Sequence, residues 1–282
     1  MRCAWQAYLN LLPSGMRQEV DRLGKDKLQE LRLRLGLPPE LITTHGSVWL
    51  QKATTGEEIS FCVNAASRYS PWSAGTVSEG YITAPGGHRI GLCGDAVISA
   101  GKMTGISRTS SLCLRVARDF PGIADRAVNI PGSVLIIGRP GSGKTTLLRD
   151  LIRQRSARGP GCIAVVDERG ELFPRFHEEM CFETGPRTDV LHGCPKPAGI
   201  EMVLRNMSPA VIAVDEITAR EDCDALIHGG WCGVRFLATA HAGSLSELEN
   251  RPVYRPIVES GLFDAVLVLQ PDKTWKMERI HR

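Results

Sequence analysis

The sequence predicts an α/β fold, a parallel sheet covered on both faces by helices, preceded by a smaller α+β domain. Three observations carry that reading. From residue 134 the apolar residues come in unbroken blocks: VLIIG (134–138), CIAVVD (162–167), AVIAVD (210–215), VRFLATA (234–240) and DAVLVL (264–269). Such runs, separated by helix-length segments, suit a sheet buried on both faces. Before residue 120 the pattern alternates instead. In ELRLRLG (30–36), Leu31, Leu33 and Leu35 oppose Arg32 and Arg34, as in strands with one wet face. Third, GRPGSGKTT (138–146) joins the first apolar block to a helical stretch.

The elements follow in order. Ser14 is placed to cap a helix carrying Met16, Val20, Leu23 and Leu28 at helical spacing, up to Gly24 and beyond. ELRLRLG is a strand that Pro38-Pro39 should break, and SVWLQ (47–51) is another. GYITA and HRIGLCGDAVI flank Pro85-Gly86-Gly87 as a hairpin over 80–98, and SLCLRVARD (111–119) alternates again. Residues 1–120 are thus expected as the α+β domain, 121–133 as a Pro- and Gly-bearing linker, and 134–282 as the α/β domain.

The chain has 282 residues, 43% hydrophobic and 23% charged, with a net charge of +3. That is too weakly basic to argue for nucleic acid. Nine cysteines show no CxxC pair and no zinc spacing, which fits free thiols in a reducing compartment. The first residues lack the apolar core of a signal peptide, and no run approaches 18 apolar residues, so no span is expected.

GRPGSGKT matches the phosphate-loop pattern GxxxxGK[ST]. Gly138, Gly141 and Gly143 let the backbone curl so that N–H groups of the loop, with Arg139, Pro140 and Ser142 between them, point at phosphate oxygens. The helix that follows adds its positive end. Lys144 is placed for the β- and γ-phosphates, Thr145 for Mg²⁺, and Thr146 follows as a further nucleotide-binding residue. AVIAVDEI (210–217) offers Asp215 for the metal and Glu216 for the attacking water. VRFLATAHA ends on Thr239 and His241, polar groups suited to sensing the γ-phosphate. AVVDERGEL (164–172) is a second acidic strand end. From spacing alone, Asp167, Glu168 and Glu171 either sit above the same site or cap the next helix. His88, in GGHR, reads as a structural histidine.

GRPGSGKTTLLRD, VVDERGEL, RTDVLHGCPK, MSPAVIAVDEI and ATAHAGSLSEL together resemble the stage III sporulation protein AA family. LQELRLRLGLP, GYITAPGGHRIGLCGDAV and SSLCLRVARD are similar to that family's first domain, so the resemblance covers nearly the whole chain. The family in turn resembles the ATPases of type II and type IV secretion and of pilus machines. The resemblance implies a RecA-like P-loop NTPase core that hydrolyses ATP with Mg²⁺ in a homo-oligomer, a hexameric ring. It places Glu168 and Glu171 in an acidic box, Asp215-Glu216 in the Walker B segment and His241 in a histidine box. It adds a role in trans for an N-domain arginine, Arg115 foremost among Arg89, Arg115 and Arg118; the bland alternative is a solvated strand face.

The implied partners are integral membrane proteins of a channel or secretion apparatus that connects mother cell and forespore during endospore formation. The implied location is cytoplasmic, at the membrane only through those partners. The secretion enzymes usually carry Gly-Glu where this chain keeps Asp-Glu. It departs from its own family at Arg139, at Thr218 and at His192. Two other readings compete: a nucleic-acid-dependent RecA-like ATPase, and a nucleotide-binding scaffold with negligible turnover. The first is disfavoured by the lack of a basic stripe and by a chain that ends soon after its last core strand.

Overall fold

The computed structural model describes residues 1–67 and 80–279. Residues 68–79 and 280–282, inside the two expected domains, lie outside the described residues. The chain divides into two compact units, Met1–Asp119 with Pro174–Phe182, and Phe120–Phe173 with Glu183–Arg282.

In the first unit, α1 (Trp5–Asn10), α2 (Ser14–Leu23) and α3 (Gly56–Ser67) accompany six strands: β1 (Leu28–Arg34), β2 (Leu37–Thr43), β3 (Gly46–Trp49), β4 (Tyr81–Thr83), β5 (Arg89–Ser99) and β6 (Lys102–Arg115). The sheet is antiparallel in the order β3-β2-β1-β6-β5-β4. Leu31, Leu33, Ile90 and Leu114 bury one face against Tyr8, Val20 and Ile59 of the helices. Arg32, Arg34 and Arg115 lie on the other face, paired with Glu30 (3.2 Å), Glu40 (2.9 Å) and Glu30 (3.2 Å). The alternation in ELRLRLG therefore means what period-2 patterning should mean.

Four expectations need correction. Pro38-Pro39 does not break the sheet but lies inside β2. Arg32 faces Glu40 while Arg34 faces Leu37, so the prolines occupy a bulge, where a ladder N–H is not required. Leu35 lies beyond the end of β1 and is 55% exposed, because the chain turns at Gly36 (φ 76°). Ser14 is the first helical residue; Pro13 holds the cap position, no side chain caps the helix, and it stops at Leu23 before Gly24 (φ 83°), so Leu28 opens β1 instead of continuing the helix. Strands β5 and β6 run on to Ser99 and back from Lys102 as a ribbon. Both sides of that ribbon are largely exposed, so it carries no alternation to read.

His88 is fully buried. Its Nδ1 accepts from the Ala117 N–H and its Nε2 donates to the Ala4 carbonyl, both at 3.0 Å. That fixes the neutral tautomer, and burial pushes the imidazole down to about 4. The histidine fastens the start of α1 to the end of β6, the structural role expected. Arg118 is likewise spent on the Lys25 and Leu28 carbonyls, and the Arg89 guanidinium stacks 4.0 Å over Tyr81. A return segment, β9 (Arg175–Phe176) and β10 (Glu179–Met180), completes this unit. It packs so tightly on Gly87 that an added Cβ there would meet Pro174 at 3.0 Å and Cys181 at 3.1 Å.

The second unit is a seven-stranded sheet of β7 (Val134–Ile137), β8 (Ile163–Asp167), β11 (Thr188–His192), β12 (Val211–Ile217), β13 (Arg235–Ala240), β14 (Ala265–Leu269) and β15 (Trp275–Glu278), in the order β11-β8-β12-β13-β7-β14-β15. All neighbours are parallel except β15, which closes one edge. Leu135, Val214, Phe236 and Val266 face a core completed by α5 (Lys196–Met207), α6 (Arg220–Trp231), α7 (Leu245–Asn250) and α8 (Arg255–Glu259). On the alternate positions Val134 and Ile136 point to the opposite face, where α4 (Lys144–Arg158) buries Leu147, Leu148, Leu151 and Ile152. The segment before β7 is not loose. Asp150 of α4 accepts the N–H groups of Gly122 (2.9 Å) and Ala124 (2.8 Å), and Arg155 donates to the Gly132 (3.1 Å) and Ile130 carbonyls.

Candidate nucleotide site

Because β7, β13 and β12 are adjacent and parallel, their carboxyl ends meet at one sheet edge, where open α/β sheets bind ligands. The end of β7 gives the loop 138–143, that of β13 gives Thr239 and His241, and that of β12 gives Asp215 and Glu216. The loop turns on Gly141 (φ 73°) and Gly143 (φ 102°), values open to glycine at no steric cost. An added Cβ at Gly138 would lie 2.5 Å from Ser142 Oγ, so this backbone has no room for a side chain. Ser142 Oγ itself is buried without a hydrogen-bond partner.

Lys144 is buried at the first helical position. Its Nζ donates to the Gly138 (3.1 Å) and Arg139 (3.2 Å) carbonyls and meets His241 Nδ1 at 3.0 Å. Lysine can only donate, so Nδ1 accepts and His241 carries its proton on Nε2. That nitrogen lies 3.0 Å from Glu216 Oε1. Burial lowers the Lys144 pKa, opposed by Asp215 and Glu216. Thr145 donates to Asp215 Oδ2 at 2.8 Å.

The two carboxylates share one side through a local break in the ladder. Val214 pairs with Ala238 and Ile217 with Ala240, so Asp215 and Glu216 together oppose Thr239 alone. In a regular strand neighbouring side chains point to opposite faces; the bulge, with Glu216 at φ 53°, brings both to the site. Thr239 clamps it: its hydroxyl donates to Asp215 Oδ1 (2.5 Å) and accepts from the Glu216 N–H (2.7 Å). Asp215 is half-buried, and desolvation raises its pKa against the pull of the two threonine hydroxyls.

The second acidic strand end is built differently. Asp167, 1% exposed, accepts from the Glu171 and Phe173 N–H groups, both at 2.9 Å, and so shapes the turn after β8. Glu168 is ion-paired with buried Lys196. Glu171 lies near enough to Asp215 to raise its pKa by charge repulsion. Arg169, which drew no attention in the sequence, lies 3.5 Å from Glu216 Oε2. Only its place beside an acidic pair could have flagged it. Arg115 belongs to the first unit and its Glu30 pair.

Two of the three departures from the family pattern, His192 and Thr218, have hydrogen-bond partners. His192 donates to the Phe173 carbonyl at 2.8 Å, with Asp167 at 3.9 Å. The Thr218 N–H donates to Asp222, which helps start α6, at 2.9 Å.

The strand order and the loop between β7 and α4 define a P-loop nucleotide-binding fold of RecA-like topology. The family model described as "Sporulation stage III, protein AA" matches residues 5–280. Stage III sporulation protein AA of Bacillus subtilis (strain 168) is 36% identical over 276 residues, 93% of this chain and 90% of that protein. The chain belongs to the stage III sporulation protein AA family.

Among solved structures, the ATPase DotB of Legionella pneumophila matches with a TM-score of 0.60 at 17% identity, covering 95% of this chain and 80% of that one. The pilus retraction motor PilT with bound ADP matches at 0.62 and 16% identity, covering 90% and 76%. These likenesses show the fold alone. Among the described residues no helix is long and apolar enough to cross a membrane, and no group of three His, Cys, Asp or Glu side chains could hold a metal by itself.

Proposed function

We propose that this chain is a Mg²⁺-dependent ATP hydrolase that works as a homo-oligomeric ring, and that it energises a membrane-embedded channel or export apparatus during endospore formation. The observation that carries the reading is the connected set Lys144, His241, Glu216 at one sheet edge, with Thr145 and Asp215 joined beside it. The residues fit the group. Ser142 Oγ is a buried polar atom in want of a partner, and the loop is stripped of side chains where a phosphate must approach. Magnesium is commonly held by one or two carboxylates or hydroxyls together with phosphate oxygens and water, and Thr145 with Asp215 is such a partial set.

Bound Mg²⁺·ATP supplies the phosphoanhydride bond and the cation that spreads its charge. The loop N–H groups, Ser142, Lys144 and Thr146 bind phosphate; Lys144 exchanges its loop carbonyls and His241 for it. Thr145 and Asp215 hold the metal. Glu216 accepts the proton of the attacking water, and His241 orients its carboxylate from Oε1. Glu171 tunes Asp215 through charge, and Glu168 steadies the turn through Lys196. Arg115 acts on the nucleotide of a neighbouring subunit.

Phosphate release from Mg²⁺·ATP tests the reading. We expect measurable turnover and a loss of at least about 100-fold in Lys144→Ala, in keeping with the weight of preorganised phosphate contacts. Equal rates in the two proteins would remove the hydrolase reading, and strong stimulation by DNA or RNA would favour a nucleic-acid-dependent enzyme.

A further inference from the structure

We infer that Arg169 is a positioning residue for Glu216, and that presenting it is the purpose of the second acidic strand end; this rests on the hydrolase reading above. Glu216 is held at three points. Thr239 takes its N–H at 2.7 Å. His241 Nε2 takes Oε1 at 3.0 Å, and a guanidinium nitrogen of Arg169 takes Oε2 at 3.5 Å. A hydrogen bond on one oxygen and an ion pair on the other set the plane of a carboxylate, where one contact would leave it free to swing.

The turn that carries Arg169 is fastened on two sides. Asp167 closes it from within by accepting the Glu171 and Phe173 N–H groups. Buried Arg149, on the helix that follows the phosphate loop, donates to the Glu171 (2.8 Å) and Leu172 carbonyls. Glu168, the acid beside Arg169 in sequence, is ion-paired with Lys196. The guanidinium remains 55% exposed. It meets the Glu216 oxygen that His241 does not touch, while Lys144 reaches His241. That division of contacts suits a group that acts through Glu216 rather than on phosphate.

The test compares wild type, Arg169→Ala, Arg169→Lys, Glu216→Gln and the Arg169→Ala/Glu216→Gln double variant of the full chain. Readouts are kcat and KM for Mg²⁺·ATP and direct affinities for ADP and a non-hydrolysable triphosphate. A residue that orients the base lowers kcat and leaves binding alone. We expect Arg169→Ala to lose about tenfold in kcat with KM and both affinities within about twofold. Arg169→Lys should regain part of the loss, and Arg169→Ala should add less than about twofold in the Glu216→Gln background.

Multiplicative losses in the double variant would overturn the inference, as would wild-type kcat in Arg169→Ala. A selective drop in triphosphate affinity would also overturn it, because the guanidinium would then touch the terminal phosphate. An active wild type with any of these results defeats this inference alone; a wild type that binds nucleotide and releases no phosphate defeats the hydrolase reading with it.

Discussion

Asp215 shows what the site costs at the scale of one residue. It is half-buried, and two threonine hydroxyls donate to its carboxylate. Its pKa is raised, so the folded state holds its proton more tightly than the unfolded chain does. The sign follows: the carboxyl favours the folded state at acid pH and disfavours it as pH rises through the folded pKa. Asp215→Asn removes the partly desolvated charge and keeps an oxygen for Thr145. We expect it to be more stable than wild type at neutral pH by about 1 kcal/mol, as relief of a strained functional site commonly gives, while losing Mg²⁺-dependent turnover. Urea unfolding at pH 7.5 and phosphate release check the two halves; a less stable Asp215→Asn would contradict the electrostatic account. Asp215 and Glu216 stood out in the sequence because they end a buried run, and Lys144 and Thr145 because they close the GxxxxGK[ST] pattern. Arg169 was not, because its partner lies 47 positions away on a strand that only the sheet order makes a neighbour.

At the scale of elements, the blocks from residue 134 named five strands of the second sheet, since unbroken apolar runs have few other uses. The order in which those strands lie is a matter of long-range pairing, and local pattern carries none of it. Strand β11 escaped because its burial is only partial. The return segment 174–182 escaped because its strands are two residues each. The Asp215-Glu216 bulge was equally invisible, since a one-residue offset leaves the strand's composition unchanged. In the first unit His88 ties two elements together as a neutral donor and acceptor. Its pKa falls from the ordinary 6.5 to about 4, so the unfolded chain takes up the proton first. The stability it contributes is present above pH 6.5 and is lost as pH falls towards 4, by about 3 kcal/mol in all. Urea midpoints measured between pH 7 and 4.5 should show that slope, and it should flatten in His88→Gln. An equal slope in the variant would assign the acid sensitivity elsewhere.

At the scale of the whole molecule, two units with separate cores share one chain, and the chain crosses between them three times. A ring whose subunits complete one another's sites gains stability from nucleotide by mass action. Sedimentation of the full chain should therefore show a larger assembly with a non-hydrolysable ATP analogue than without. Identical masses across a hundredfold range of protein concentration would argue for an enzyme that works as a monomer. In the proposed reaction assembly is secondary to chemistry, which would turn on the carboxylate of Glu216, a residue in contact with Thr239, His241 and Arg169. The decisive measurement is Mg²⁺-dependent phosphate release by wild type and Glu216→Gln at saturating ATP, with nucleotide affinity measured in parallel. Loss of the water-activating carboxylate should lower turnover by at least about 100-fold with affinity kept; turnover undiminished in Glu216→Gln would contradict the assignment of this sheet edge as a hydrolytic site.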